Sequence, residues 1–266
     1  MSHKKQGYAS DLTDCEWGIL KHLLGKRKKV GRPLELDMRI VVNAILYVLR
    51  TGCAWAYLPS EYPNFNSVYY HYRRWSADGT WERVNGLLSV YVRHKVKREA
   101  YPSAAIVDSQ TIKTTQVGGE RGYDGGKKIN GRKRHILVDT LGNLLKVIVQ
   151  PANIQDRDGA KLLLETLPSQ LWTRLERIWA DGGYNGDLAD WIQTHFPKLV
   201  LELVQRSPAA NGFVLLPRRW VVERTFAWFG LYRRLNRDYE RLLDNSMSMI
   251  YLASIQRFLR LLSTAD

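Results

Sequence analysis

The sequence predicts an α/β fold that follows a mostly helical N-terminal region. Before Pro102, apolar residues recur at helical spacing between helix-capping signals. After Pro102, short β-like runs alternate with helical stretches, an order typical of an α/β domain. Hydrophobic residues make up 45% of the 266 residues, enough for an ordinary buried core. We therefore expect a helical domain at residues 1–100 and an α/β domain at residues 101–266.

Four helices are expected in the N-terminal region. Thr13 followed by Glu16 is a capping box, which predicts where the first helix begins. The expected helices are Thr13 to Leu24, Asp37 to Leu49, Ser67 to Trp75 and Thr80 to Val96.

This order is similar to a helix-turn-helix, with the segment Asn66 to Trp75 as the recognition helix and Arg73 and Arg74 as its DNA contacts. Alternatively, the aromatic residues of this segment pack in the core, and the two arginines form a solvated face.

The elements after Pro102 follow one another as strand, hairpin, helix, strand, helix, strand and long helix. In chain order they are a strand Ala104 to Val107 that ends at Asp108, a Gly- and Lys/Arg-rich loop at 118–134, strands His135 to Asp139 and Leu144 to Gln150, a helix Asp156 to Leu167, a strand Arg177 to Ala180, a helix Gly186 to Phe196, a strand Leu199 to Gln205, a helix from Arg218 through Glu240 and a last helix Ser246 to Leu262. This is the order of the RNase H-like fold, which predicts a mixed five-stranded sheet with flanking helices.

Three acidic residues are placed where this order makes them converge. Asp108 and Asp181 each follow a strand, and Glu223 lies on the long helix after the last strand. Adjacent parallel strands bring their carboxyl ends to one edge of a sheet, where sites form. Such a carboxylate cluster suits two Mg²⁺ ions, which take oxygen ligands and catalyse phosphoryl transfer as a pair. Taken singly, each acid also fits a structural role, as a helix cap, a turn former or an ion-pair partner of Arg219.

The charge of the chain favours a polyanionic partner. Lys and Arg number 40 against 26 acidic residues, and both halves of the chain are basic. A basic protein without such a partner is the alternative. The sequence shows no apolar run that could span a bilayer, no signal peptide and no GxxxxGK[ST] loop. We therefore expect a cytoplasmic protein with no membrane contact and no nucleotide cofactor.

Three segments resemble the catalytic motifs of insertion-sequence DDE transposases. They are Ala105 to Lys113, Trp179 to Tyr184, and Arg219 to Trp228 with its continuation to Glu240. Arg121 to His135, Gly31 to Pro33 and Thr51 to Trp55 also resemble that group. The resemblance is to the bacterial insertion sequence five family and covers nearly the whole chain.

This resemblance implies a metal-dependent triad of Asp108, Asp181 and Glu223 in an RNase H-like core. It further implies two Mg²⁺ ions, for which Mn²⁺ substitutes, and double-stranded DNA as partner, both as terminal inverted repeats and as target. Members of the family act as homodimers or larger assemblies on DNA. The related insertion sequence four group has Tyr and Lys where this chain has Leu216 and Gly230. The Lys contact with DNA is therefore lost or moves to Arg233 or Arg234.

Basic residues near these motifs are the candidates for DNA contact, because clustered Lys and Arg side chains bind phosphates. The candidates are Arg73, Arg74, Lys113, Lys127, Lys128, Arg132, Lys133, Arg134, Arg219, Arg224, Arg233 and Arg234. A flexible solvated loop is the alternative for the stretch from Arg121 to His135.

Two other functions compete with transposition. One is an RNase H-fold nuclease or resolvase, which cuts DNA but does not join it. The other is a DNA-binding regulator derived from a transposase, which the presence of all three acids disfavours.

Overall fold

The computed structural model of the chain describes residues 7–24, 36–204 and 218–264. Predicted features at Gly31 to Pro33, Gln205 and Leu216 lie outside these ranges. Within them, the helices are α1(Asp14–Leu23), α2(Met38–Thr51), α3(Phe65–Ala77), α4(Thr80–Lys95), α5(Asp156–Glu165), α6(Leu188–His195), α7(Arg219–Gly230) and α8(Leu243–Ser263). The strands are β1(Ala104–Lys113), β2(Gly122–Asp124), β3(Ile129–Asp139), β4(Leu144–Pro151), β5(Arg177–Ala180) and β6(Val200–Leu203).

The four N-terminal helices begin and end close to the predicted positions. At α1, the Thr13 hydroxyl accepts a hydrogen bond from the Glu16 backbone N–H (3.2 Å), and the Glu16 carboxylate accepts one from the Thr13 N–H (2.8 Å). The capping box is therefore confirmed. Helix α2 begins after Asp37, whose carboxylate caps Arg39, and ends at Gly52 with a φ of 74°, a conformation that favours glycine.

The sheet is mixed, as predicted, and has the order β2-β3-β1-β5-β6, with β4 also paired to β3. Strand β1 runs antiparallel to β3 and parallel to β5, and β5 runs parallel to β6. The RNase H-like order is confirmed, with six strands rather than five, because β2 adds a short strand beside β3.

Strand β1 does not end at Asp108, as the sequence predicted, but continues to Lys113. Its continuation pairs with the first part of β3, which begins at Ile129 rather than at His135. Gly131 makes this approach close, since a Cβ there would lie 1.9 Å from the Ile112 carbonyl oxygen. The predicted loop at 118–134 is thus partly sheet.

The predicted helix through Glu240 is also shorter, because α7 ends at Gly230. The chain then turns back to β1, where the Asp238 N–H donates to the Lys113 carbonyl (2.9 Å) and the Thr115 N–H donates to the Asp238 carbonyl (3.1 Å). The backbone groups of Asp238 are therefore satisfied by β1 rather than by the i to i−4 hydrogen bonds of a continued helix.

Two apolar clusters fill the two faces of the sheet. Ala105 and Val107 of β1 face α5 and α6, whereas Ile106 faces α7, α8 and the N-terminal helices. Alternation along the strand therefore puts Asp108 on the α7 side. Helices α1 to α4 share their cluster with α8, so apolar packing continues across residue 100. The division into two domains stays a prediction.

Among the described residues, the helices include none with the length and hydropathy that a bilayer crossing requires. Cys15 and Cys53 are both free thiols.

Two helical glycines allow a matched test of this packing. A Cβ on Gly159 of α5 would lie 2.1 Å from the buried His135 ring of β3, whereas one on Gly86 of α4 would meet nothing within 4 Å. We expect Gly159→Ala to reduce the free energy of unfolding by about 1–3 kcal/mol through overpacking. Gly86→Ala should raise it by about 0.5–1 kcal/mol, since alanine favours helix. Urea denaturation measures both, and equal effects of the two variants would contradict the packing of α5 on β3.

Candidate active site

Asp108 and Asp181 lie just beyond the parallel pairing of β1 with β5, and Glu223 lies on helix α7. The register pairs Ile106 of β1 with Trp179 of β5, so each aspartate stands two residues beyond this pair. Both strands run in the same direction, and Ile106 and Trp179 belong to the apolar cluster that α7 covers. The same alternation therefore turns both aspartates toward α7, which carries Glu223.

Arg219, in the first turn of α7, connects two of these acids. Its Nη2 atom lies 3.6 Å from Asp181 Oδ2 and 3.5 Å from Glu223 Oε1. Helical spacing of four residues puts Arg219 and Glu223 on one face of α7, as the sequence predicted.

Asp108 is the most deeply placed of the three acids. The pKa of its carboxyl is raised from 3.8 to about 6, mainly by burial, and the negative charges of Asp181 and Glu223 contribute to this rise. A hydrogen bond from the Ser109 backbone N–H (2.7 Å) and the charge of Arg219 act in the opposite direction. The mutual influence of these charges agrees with a common site.

Tyr184 and Asp156, which the sequence did not indicate as site residues, also lie next to these acids. The Tyr184 hydroxyl is buried beside Ser109 without a well-formed hydrogen bond. Burial and the charges of Asp108, Asp156 and Asp181 raise its pKa well above the usual value. An unsatisfied buried hydroxyl next to acids fits a site that receives a polar ligand or water.

Asp156, the first residue of α5, ties the neighbouring elements together. Its carboxylate accepts a hydrogen bond from the Ser109 hydroxyl (2.8 Å) and pairs with Lys133 of β3 (3.0 Å). This network fixes β1, β3 and α5 to one another one residue away from Asp108. The sequence signal was an acid at a helix start, which is too common to indicate a site.

The donor atoms at this edge fit a hard divalent cation. Three carboxylates supply oxygen ligands, which Mg²⁺ prefers. Even so, the described part of the chain contains no group of three or more His, Cys, Asp and Glu side chains already arranged to hold a metal. The Arg219 guanidinium lies between Asp181 and Glu223 instead.

Four of the predicted DNA-contact residues are buried and bonded inside the fold. Arg132 pairs with Asp238 (3.1 Å) and donates to the carbonyls of Glu120, Glu240 and Arg241. Arg234 pairs with Glu240 (2.8 Å).

The other two are Arg134, which donates to the Leu235 carbonyl, and Lys133, which pairs with Asp156. Direct DNA contact was predicted for these four residues, but their side chains are buried and already bonded to protein partners.

Three candidates are half-buried. Arg73 donates to the Asn245 side chain of α8 (2.8 Å), and Arg224 stacks between Trp220 and Trp228 while donating to the Leu141 carbonyl. Arg219 is held between the acids as described. The exposed candidates are Arg74, Lys113, Lys127, Lys128 and Arg233.

An open groove begins two residues beyond Asp108. Two adjoining depressions follow β1 and its extension over residues 110–117 and share Arg237 as a lining residue. Lys113, Arg121 and Arg237 supply exposed positive charge, and neither depression has an acidic residue among its lining. A surface of this charge is complementary to a polyanion.

The RNase H-like sheet with an acidic edge defines a class of proteins that act on nucleic acids through bound metal. Comparison with known families agrees. Residues 100–256 match the family model described as "Transposase DDE domain", and residues 12–85 match "Putative transposase of IS4/5 family". The chain belongs to the DDE transposase family.

Two relatives from Burkholderia cepacia are similar to part of the chain. One is a putative transposase for insertion sequence element IS402, 32% identical over 124 residues, which are 43% of this chain and 56% of that protein. The other is an uncharacterized 16.2 kDa protein of the IS402 insertion element, 31% identical over 121 residues, which are 43% of this chain and 81% of that protein.

The buried Asp108 predicts a pH dependence in metal-free protein. A carboxyl whose pKa rises from 3.8 to about 6 on folding makes ionisation costly in the folded state. That cost is absent below about pH 4 and fully present above about pH 6, where it amounts to at most about 3 kcal/mol. Asp108→Asn removes the charge and should therefore stabilise the protein at pH 8 more than at pH 4. Denaturation in EDTA measures this difference, and an equal effect at both pH values would contradict the burial of Asp108.

Proposed function

We propose that this protein cuts DNA at the ends of an insertion sequence and joins the freed ends to target DNA. Asp108, Asp181 and Glu223 are the catalytic residues and hold two Mg²⁺ ions, which Mn²⁺ can replace. The observation that carries the proposal is that Asp108 and Asp181 follow the parallel pairing of β1 with β5, while Arg219 of α7 pairs with both Asp181 and Glu223. Membership of the DDE transposase family supports the same function.

The metal ions, Asp108 and Tyr184 have different parts in this proposal. The metal ions supply Lewis-acid activation of the attacking oxygen and stabilisation of the leaving oxygen. Asp108 is fixed in orientation by the Ser109 N–H and is mostly ionised at neutral pH, since its pKa is about 6. Tyr184 has a hydroxyl that can donate a hydrogen bond into the acidic site. Water attacks the donor phosphodiester first, and the freed 3′-OH then attacks the target.

The partner in this proposal is double-stranded DNA, first as terminal inverted repeats and then as target. The phosphates lie along the groove beside β1, against Lys113, Arg121 and Arg237, with Lys127 and Lys128 at the turn between β2 and β3. Helix α3 presents Asn66, Tyr70 and Arg74 outward at i, i+4 and i+8, a strip suited to groove contacts. The protein acts in the bacterial cytoplasm as a homodimer or larger assembly on two DNA ends.

Replacing single acids tests the catalytic assignment. Asp181→Asn and Glu223→Gln should each abolish Mg²⁺-dependent cleavage of end DNA while end binding persists, because the ligands act on the reacting phosphate rather than on the repeat. Gel assays of cleavage, strand transfer and binding measure the three activities. Undiminished cleavage by either variant would refute the triad, and cleavage without strand transfer by the unmodified protein would favour a nuclease.

Salt dependence tests the groove. The affinity for DNA falls as salt rises, and a plot of log K for DNA binding against log salt therefore has a negative slope. The double variant Lys113→Gln/Arg237→Gln should make this slope less steep by about 2, since each lost phosphate contact contributes about 0.9. Lys198→Gln is the matched control, because Lys198 is exposed but precedes β6, away from the carboxyl ends of the parallel strands. If the control reduced the slope as much as the double variant did, the groove would not be the binding surface.

A further inference from the structure

Arg219 is placed where the metal ions of the proposed function would have to bind. Its guanidinium Nη2 approaches one oxygen of Asp181 and one of Glu223 at nearly equal distances, 3.6 and 3.5 Å. Its side chain is 18% exposed, less than those of Asp181 (33%) and Glu223 (56%). The Arg219 side chain is therefore more shielded from solvent than the side chain of either partner.

Electrostatics explain this position. Asp108, Asp181 and Glu223 repel one another, and the positive charge of Arg219 acts on all three. Without a metal, one guanidinium offsets part of the negative charge that would otherwise push the acids apart. Both ion pairs are longer than a normal hydrogen bond, so the guanidinium balances charge without being locked to either acid.

The start of α7 is held independently of this contact. Arg218, the residue before, pairs with Glu202 of β6 (3.2 Å) and stacks on the Trp179 ring at 4.3 Å. The backbone can therefore stay in place while the long Arg219 side chain moves.

We propose that Arg219 is a positioning residue that occupies the metal site in the metal-free protein and is displaced by the incoming metal. This inference rests on the proposed function. Mg²⁺ binds carboxylate oxygens at about 2.0–2.1 Å, so a guanidinium cannot remain between the same oxygens beside an ion of like charge. Metal loading therefore releases Arg219 from its ion pairs with Asp181 and Glu223.

Metal binding by the full-length chain tests this inference without DNA or catalysis. Mn²⁺ is titrated into EDTA-stripped, dialysed protein and followed by electron paramagnetic resonance of the unbound ion. Arg219→Gln should bind Mn²⁺ about two- to fivefold more tightly than the unmodified protein, because a weak competing ion pair has been removed. Arg219→Lys, which keeps the charge, should show a smaller gain, and the control Lys198→Gln, at an exposed residue before β6, should show none.

Each outcome separates this inference from the function on which it rests. If Asp181→Asn weakens Mn²⁺ binding but Arg219→Gln leaves it unchanged or weaker, Arg219 does not compete with metal, and only this inference fails. If Asp181→Asn leaves Mn²⁺ binding unchanged, the acids are not the metal site, and the proposed function fails with it. Circular dichroism and the melting temperature of the metal-free variants establish that each variant is folded.

Discussion

The pairing of β1 on both of its sides is the constraint on which the rest of the structure depends. The strand runs antiparallel to β3 from Ala105 to Lys113 and parallel to β5 from Ala104 to Ile106. Parallel pairing brings Asp108 and Asp181 to the same edge, and side-chain alternation turns both toward α7. Antiparallel pairing carries β1 past the acids and makes the floor of the groove. One strand therefore positions both the proposed chemistry and the proposed path of DNA.

Two buried arginines, Arg132 of β3 and Arg234 after α7, contribute to this frame from the inside. Arg132 neutralises Asp238, which pairs through its backbone with the end of β1, and Arg234 neutralises Glu240 two residues later. Buried charges are costly unless they are paired and hydrogen-bonded, so each of these arginines is confined to one arrangement. The interior charges thus fix the chain beside the groove, and the cations left on the surface belong to other residues.

Local signals in the sequence were sufficient for much of the fold. The capping box at Thr13 and Glu16 and the apolar run ending at Ala180 predicted α1 and β5, because caps and short buried strands depend on neighbouring residues. The end of α7 and the extension of β1 were not predicted, since both depend on tertiary pairing. Strand β1 continues because it pairs with the first part of β3, and the chain after α7 pairs with Thr114, more than a hundred residues away.

In the candidate site too, some features were predictable from the sequence and others depend on tertiary contacts. The three acids could be chosen from element order and motif, whereas the inward direction of Arg132 and the participation of Asp156 and Tyr184 depend on packing that sequence spacing does not specify. A run of Lys and Arg predicts a binding surface only if the strand that carries it is exposed. Residues 132–135 of β3 are buried one after another, because both faces of the sheet are covered.

An anomalous diffraction map of crystals soaked in Mn²⁺ tests the proposed metal site most directly. We expect a peak within roughly 2.0–2.2 Å of carboxylate oxygens from Asp108, Asp181 and Glu223, with the Arg219 guanidinium moved away. Mn²⁺ bound elsewhere, with Arg219 still between Asp181 and Glu223, would contradict the proposed site.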